Sequence, residues 1–140
     1  MYRKILLAYD GSEGAKRALE AGLELAKVHG AELWALAVEE RLARFSGTID
    51  EVQEEKKFAN QQYGKLLEGA RTQANAAGVD IKILMRPGHP AKTIVAVAQE
   101  GKFDLVLVGH TGLSGVWAAF LGTTAEKVSR HAPCSVLIVR

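Results

Sequence analysis

The sequence predicts a doubly wound α/β fold, a parallel sheet with helices on both faces, and two patterns predict it. Five short apolar runs of strand length recur along the chain, each bounded by Gly, Pro or Asp. Between them lie segments whose apolar residues repeat with helical spacing. Parallel strands need crossovers of that length, because a tight turn reverses the chain, and helices that cross over in this way cover both faces of the sheet. The composition suits such a core: 140 residues, 48% hydrophobic and 24% charged. A chain of this size buries about two-thirds of its unfolded surface without disulfides, so one domain is expected over residues 1–140.

The first strand is Lys4-Ile5-Leu6-Leu7-Ala8-Tyr9, a nearly continuous apolar run that suits burial on both faces and stops at Asp10-Gly11-Ser12. From Ser12 to Val28 the spacing turns helical, with Ala15, Ala18, Leu19, Gly22, Leu25 and Ala26 on one face and Gly30 as the stop. Glu32 to Val38 is the second strand, and Glu39 to Thr48 reads as a polar loop leading to a long helix from near Asp50 that Gly78 closes. Val79 to Met85 alternates apolar and charged residues, as an edge strand with one wet face does, and it is expected to be the least buried strand.

Arg86-Pro87-Gly88-His89-Pro90 reads as punctuation, with Pro90 opening a helix that runs to Gly101. Asp104 to Val108 is the fourth strand. After a glycine-containing loop, Thr124 to His131 reads as a helix with Ala125, Val128 and Leu121 inward, and Ser135 to Val139 is the last strand. In such sheets ligands sit beyond the carboxyl ends of the strands where the winding reverses, which directs attention to Asp10 and Gly109.

Charge and composition remove several function classes. With 18 Lys+Arg against 16 Asp+Glu and no long block of one sign, neither a nucleic-acid nor a membrane-surface partner is expected. No apolar run is long enough for a transmembrane helix, the first apolar run is too short for a signal peptide, and Cys134 is the single cysteine, so a cytoplasmic protein is expected. There is no G-x-x-x-x-G-K-[ST] loop and no G-x-G-x-x-G fingerprint. Two near-misses to a nucleophile elbow, Asp10 to Gly14 and Gly112 to Gly115, lack the G-x-S-x-G spacing, and no catalytic residue is assigned. His29, His89, His110 and His131 form no ligand pair, and no protein-held metal is expected. Cys134 and Trp34 read as core residues, whereas Trp117, in the glycine loop, suits a partner or lid.

The most specific signal follows the fourth strand, where Gly109, Gly112, Gly122 and Thr123 are spaced as G-x2-G-x9-G-T. Gly109 and Gly112 permit positive φ and close approach of backbone N–H groups to an anion, and Gly122-Thr123-Thr124 places amides and hydroxyls at a helix start. Turn geometry alone also favours glycine in such loops. Asp10 reads either as a ligand-binding carboxylate or as a helix N-cap, a role Ser12 fills equally well.

With these residues in place, the chain resembles the universal stress protein family, in particular its ATP-binding members. The resemblance rests on the spaced glycines with Thr123, on Asp10-Gly11-Ser12 after the first strand, on Val38 at the end of the second, and on the closing segment Ala132 to Val139. It covers essentially the whole chain. It implies a five-stranded parallel sheet of order 3-2-1-4-5 of the adenine nucleotide alpha hydrolase-like type, and a homodimer formed through the last strand. It implies an ATP site across strands one and four: Asp10 on the ribose, the main chain around Ala8, Tyr9 and Val38 on adenine, Gly109, His110, Gly112, Gly122, Thr123 and Thr124 toward the phosphates and their magnesium, and Ser12 within the nucleotide-binding set.

One departure concerns the phosphates. The family often has a cation at the second place after the first glycine, where this chain has Thr111; His110 is the substitute donor, and when neutral it leaves a triphosphate to backbone amides and magnesium. Three readings follow. The first is a dimeric nucleotide-responsive regulator in stress response with a protein partner still to be found. The second is a slow ATPase or self-phosphorylating protein with Thr111, Ser114, Thr123 or Thr124 near the γ-phosphate. The third is a dimeric interaction module with a vestigial site, in which Glu39 to Gly47 is either an entrance flap or a plain connection.

Overall fold

A computed structural model describes residues 1–40, 49–111 and 120–140. Along the chain run β1 (Lys4–Ala8), α1 (Glu13–His29), β2 (Glu32–Glu39), α2 (Ile49–Ala76), β3 (Ile81–Pro87), α3 (Pro90–Glu100), β4 (Leu105–Gly109), α4 (Thr123–His131) and β5 (Ser135–Val139). The five strands form one sheet of order β3-β2-β1-β4-β5. Every pair is parallel, with Leu7 opposite both Ala35 and Leu107 and with Gly109 opposite Val139.

Alternation of side chains across the strands divides the core into two layers. Ile5, Leu7, Leu33, Ala35 and Leu107 face α1 and the C-terminal half of α2, whereas Leu6, Leu36, Val106 and Val108 face α3 and α4. Ile5, Leu6 and Leu7 are all completely buried, so the continuous apolar run of β1 reports two covered faces. Each such side chain contributes about 1.5–3 kcal/mol by leaving water.

α1 starts where Ser12 caps it, its Oγ accepting from the Ala15 N–H at 3.2 Å, and it stops at left-handed Gly30. Its inward face carries Leu23 where the sequence spacing favoured Leu25; Gly14 is also buried there. α2 is 28 residues long, about 42 Å, roughly twice the extent of the seven-residue β3 it covers. Its first turns therefore overhang the sheet, and Ile49, Val52 and Phe58 are exposed.

Several boundaries and burial expectations are corrected. β2 extends to Glu39, so the following connection begins at Glu40, and β3 runs on through Arg86 and Pro87 because that longer β2 offers them partners. Pro87 is tolerated there because an edge strand leaves one side without a ladder. Val79 lies in the turn between α2 and β3 instead, its N–H donating to the Ala74 carbonyl at 2.9 Å and closing the end of the helix. α4 starts one residue early, at Thr123, and Leu121 lies outside it and is exposed.

The least buried strand is β5 and not β3: Ser135 to Val139 contains no fully buried residue, while Ile81 of β3 is in the core. α2 lies along β3, and among the described residues no comparable helix lies along the outer side of β5. Cys134 is only half-buried, its thiol pushed up by burial and then by the charge of Asp104. Trp34 is likewise half-buried, packed edge-on to Phe103 with the ammonium groups of Lys4 and Lys82 over its ring.

Candidate functional site

The carboxyl ends of β1, β2 and β4 open into a pocket of about 390 Å³, inside the range that holds a small organic ligand. Its floor is apolar: Ala8, Leu36, Val38 and Val108 from the strands, with Ile94 and Ala125 from the helices above them. These side chains converge because positions 8, 36, 38 and 108 all point to the α3 and α4 side of the sheet. The rim is polar, with Asp10, Ser12, Glu40, Tyr63, Thr111, Thr123 and Thr124. Among the described residues no Lys or Arg lines it.

Asp10 and Ser12 divide the two roles that the sequence left open. Asp10 Oδ1 accepts the Ser12 N–H at 2.9 Å, closing a turn, while the Ser12 hydroxyl caps α1. Asp10 Oδ2 has no hydrogen-bond partner among the described residues and is the acceptor left for a ligand. On the opposite rim, Gly122 is the N-cap of α4 and offers no capping side chain. Its own N–H donates to the His110 carbonyl at 2.8 Å, but the first-turn amides of Thr123, Thr124 and Ala125 have no helical acceptor. Together with the helix dipole they make an anion-accepting corner.

The glycines act differently from expectation. Neither Gly109 nor Gly122 is in the positive-φ region, and Gly112 lies outside the described residues. Gly109 is instead needed for packing. A Cβ on it would sit 2.7 Å from the Gly14 carbonyl carbon, and one on Gly14 would sit 2.5 Å from the Thr111 carbonyl oxygen. The start of α1 therefore lies backbone against backbone on the end of β4, which brings the Asp10 turn and Thr111 to one mouth.

Ala8, Tyr9, Asp10, Ser12, Val38, Gly109, Gly122, Thr123 and Thr124, which the family resemblance assigns to a nucleotide site, all line this one pocket. His110 does not. It is 9% exposed, and its backbone bridges two elements, the N–H donating to the Val139 carbonyl at 2.7 Å and the carbonyl accepting from Gly122. The Tyr9 N–H is engaged by the Leu36 carbonyl at 2.9 Å, so that main-chain donor is not open to a base. Ser114, Trp117 and positions 41–47 of the flap segment lie outside the described residues.

The sequence reading did not find Leu36, Ile94, Val108 or Ala125, although strand parity with Ala8 and Val38 was a usable signal for Leu36. Nor did it find Glu40 or Tyr63. Tyr63 comes from α2, whose Leu66 packs on the Asp10-Gly11 turn: a Cβ on Gly11 would lie 2.7 Å from Leu66 Cδ2. The Tyr63 phenol is pushed up by burial and then by the charge of Glu39, partly opposed by the Glu40 backbone N–H, with Glu40 and Asp10 adding to the rise. The Tyr9 phenol is also raised, mainly by burial. Among the described residues no group of three His, Cys, Asp or Glu could hold a metal ion, and no helix is long and apolar enough to cross a membrane.

Fold and pocket together define an α/β protein with a pocket at the strand-order reversal, apolar at one end and bordered by open helix amides at the other. The chain belongs to the universal stress protein family, whose model matches residues 1–140. It is 36% identical to the universal stress protein YxiE of Bacillus subtilis, with both chains covered in full. The structure is similar to that of the universal stress protein UspA from Lactobacillus plantarum, with a TM-score of 0.83, 28% identity and 99% and 98% of the two chains covered. It is also similar to a universal stress protein solved in complex with cAMP, with a TM-score of 0.75, 27% identity and 99% and 97% covered.

Proposed function

We propose that this protein, acting as a single domain over residues 1–140, binds an adenine nucleotide in the pocket and works as a nucleotide-responsive cytoplasmic regulator, paired as a homodimer through β5. The observation that carries the reading is the juxtaposition in one pocket of an apolar slot, the open first turn of α4 and the Asp10 carboxylate. A planar base suits the slot, ribose hydroxyls suit a carboxylate acceptor, and phosphates suit unpartnered amides. The similar protein solved with cAMP supports an adenine nucleotide as the ligand class.

ATP is the proposed physiological nucleotide. Magnesium would arrive on its phosphates and neutralise charge there, and the oxygens this chain can offer toward it are those of Asp10, Thr111, Thr123 and Thr124. His110 is left out of the proposed phosphate contacts, since it does not line the pocket and its backbone links Gly122 to Val139 of β5.

The test is thermal unfolding of the purified chain with and without magnesium-ATP, ADP, AMP and GTP, repeated on Asp10→Ala. A ligand at a hundred times its dissociation constant adds about 2.7 kcal/mol, several degrees of midpoint in a domain this size. An adenine-selective rise that Asp10→Ala removes is the expected result. No rise with any nucleotide, once co-purified ligand has been removed, overturns the proposal and favours an interaction module with a vestigial pocket.

A further inference from the structure

The candidate pocket is short of positive charge. Its α4 side ends on the open first-turn amides of Thr123, Thr124 and Ala125, which suit one phosphate, yet among the described residues no Lys or Arg lines it. A ligand carrying several phosphates therefore needs a cation from beyond the lining.

α2 has one to offer. It leads away from the carboxyl end of β2, so its N-terminal half stands on the pocket side of the sheet, and Tyr63 is where it meets the rim. Toward the C terminus the stripe of Tyr63 is the inward one, with Leu67, Ala70 and Ala74 buried. Toward the N terminus the same three- and four-residue spacing gives Ala59, Lys56, Val52 and Ile49. Lys56 is the only charged residue on that stripe, and Asp50, Glu51, Glu54 and Glu55 all fall off it. Its ammonium makes no ion pair among the described residues. A lysine in this register stands above Tyr63 on the side of the mouth, whereas Lys57 is turned away from it by about 100°.

Gly64 supplies the means of bringing Lys56 closer. Residues 49–58 are all exposed and burial becomes complete only at Leu67, so the helix is anchored to the sheet on one side of Gly64 and stands clear of it on the other. A Cβ on Gly64 would meet nothing within 4 Å, so no packing contact asks for glycine there. Glycine inside a helix makes a local break less costly than alanine does. From Gly64 to Lys56 is about 12 Å of helix, and from the end of β2 to the end of β4 is about 10 Å, so a bend at Gly64 carries the lysine across the mouth.

We infer that the overhanging half of α2 bends at Gly64 over a bound nucleotide and sets Lys56 on its terminal phosphates, which makes the pocket prefer ATP to 5′-AMP. This rests on the adenine-nucleotide reading and deepens it: the sheet edge holds base and ribose, and α2 answers the charge of the β- and γ-phosphates. An ammonium on ionised phosphate oxygens makes a charge-assisted hydrogen bond, stronger than one from a neutral amide. A nucleotide with a single phosphate still binds, without this contact.

The experiment is calorimetric titration of the full chain with ATP and with 5′-AMP in one magnesium buffer, on the wild type and four single variants. The wild type should bind ATP at least about fivefold more tightly than 5′-AMP. Lys56→Gln should lower that preference about fivefold through ATP alone, whereas Lys57→Gln, the same loss of charge on another side of the helix, should leave it unchanged. Gly64→Ala should raise the unfolding midpoint and lower the preference about threefold. Gly69→Ala, at a second α2 glycine whose Cβ would meet nothing, should raise the midpoint and keep the preference. The ratio compares two ligands on one sample, so it is independent of a variant's folded fraction. A wild type with no preference for ATP, a preference unmoved by Lys56→Gln or lowered equally by Lys57→Gln, or a full preference in Gly64→Ala would overturn the inference while leaving the nucleotide reading intact. A wild type that binds neither nucleotide overturns that reading, and the inference with it.

Discussion

The two edges of the sheet are built on opposite plans. β3 carries Lys82, Arg86 and Pro87, is covered on one face by α2, and ties its charge back to the sheet: Lys82 Nζ lies 2.6 Å from Glu32 and over the Trp34 ring. β5 has no charged residue between Ser135 and Val139, and Leu137 is 39% exposed. Charge and proline on an edge discourage a further strand; a bare apolar edge invites one. The difference teaches that the sheet is closed at one end by its own chain and, among the described residues, left open at the other, the edge to which the proposed homodimer is assigned. It also joins assembly to the pocket, because Val139 at the end of β5 holds the His110 amide, and His110 holds Gly122 at the start of α4.

The contrast can be broken most directly at Leu137. Leu137→Glu places a charge on the open edge and should weaken self-association by about 2 kcal/mol or more, roughly thirtyfold, when measured by sedimentation equilibrium. A Leu137→Glu protein that associates as the wild type does would show that β5 is not the interface.

The seam between pocket and sheet offers a smaller effect. Gly109→Ala forces a methyl group onto the Gly14 backbone, which cannot retreat as a flexible side chain would, and should lower stability by about 1–3 kcal/mol in denaturant unfolding. Unchanged stability would show that α1 stands off β4 more than this packing implies.

At the closed edge the smallest response is expected. Lys82→Ala should leave self-association unchanged and shift the unfolding midpoint by no more than about 2 °C, since an exposed ion pair contributes little. The residual effect has a defined sign. Hydrogen bonding to Lys82, and then its charge, hold the Glu32 carboxyl below its ordinary 4.5, so what the pair contributes is present above that pH and is lost as pH falls through the lowered value. Unfolding midpoints followed from pH 7 downward should therefore converge for wild type and Lys82→Ala; a gap that widens in acid would overturn the account.

Much of this architecture was legible in advance because its signals are local. The apolar run of β1, the helical spacing after Ser12, Gly30 as a stop and Pro90 as a start are each decided within a few residues by backbone sterics and hydrogen bonding. Asp10 and Gly109 were legible for the same reason, since a parallel sheet puts all strand ends along one edge, whereas Val38 came only with the family resemblance. Burial was read less well at β3 and β5. Charges at alternate positions marked β3 as an edge but did not reveal that a long helix would cover it, and the apolar letters of β5 gave no sign that its outer side is bare.

By itself, then, the sequence determined the alternation of strands and helices, their approximate limits, and a glycine-spaced loop opposite Asp10. Only the tertiary structure decided that Tyr63 of α2 and Glu40 share a rim with Asp10, that His110 leaves the lining to brace β5, and that Gly109 serves the approach of Gly14. The physical reason is range. Helix and strand periodicity are fixed by neighbours along the chain, whereas the rotation of a helix on a sheet and the meeting of its side chains with a distant turn are fixed by packing among segments that no local pattern connects.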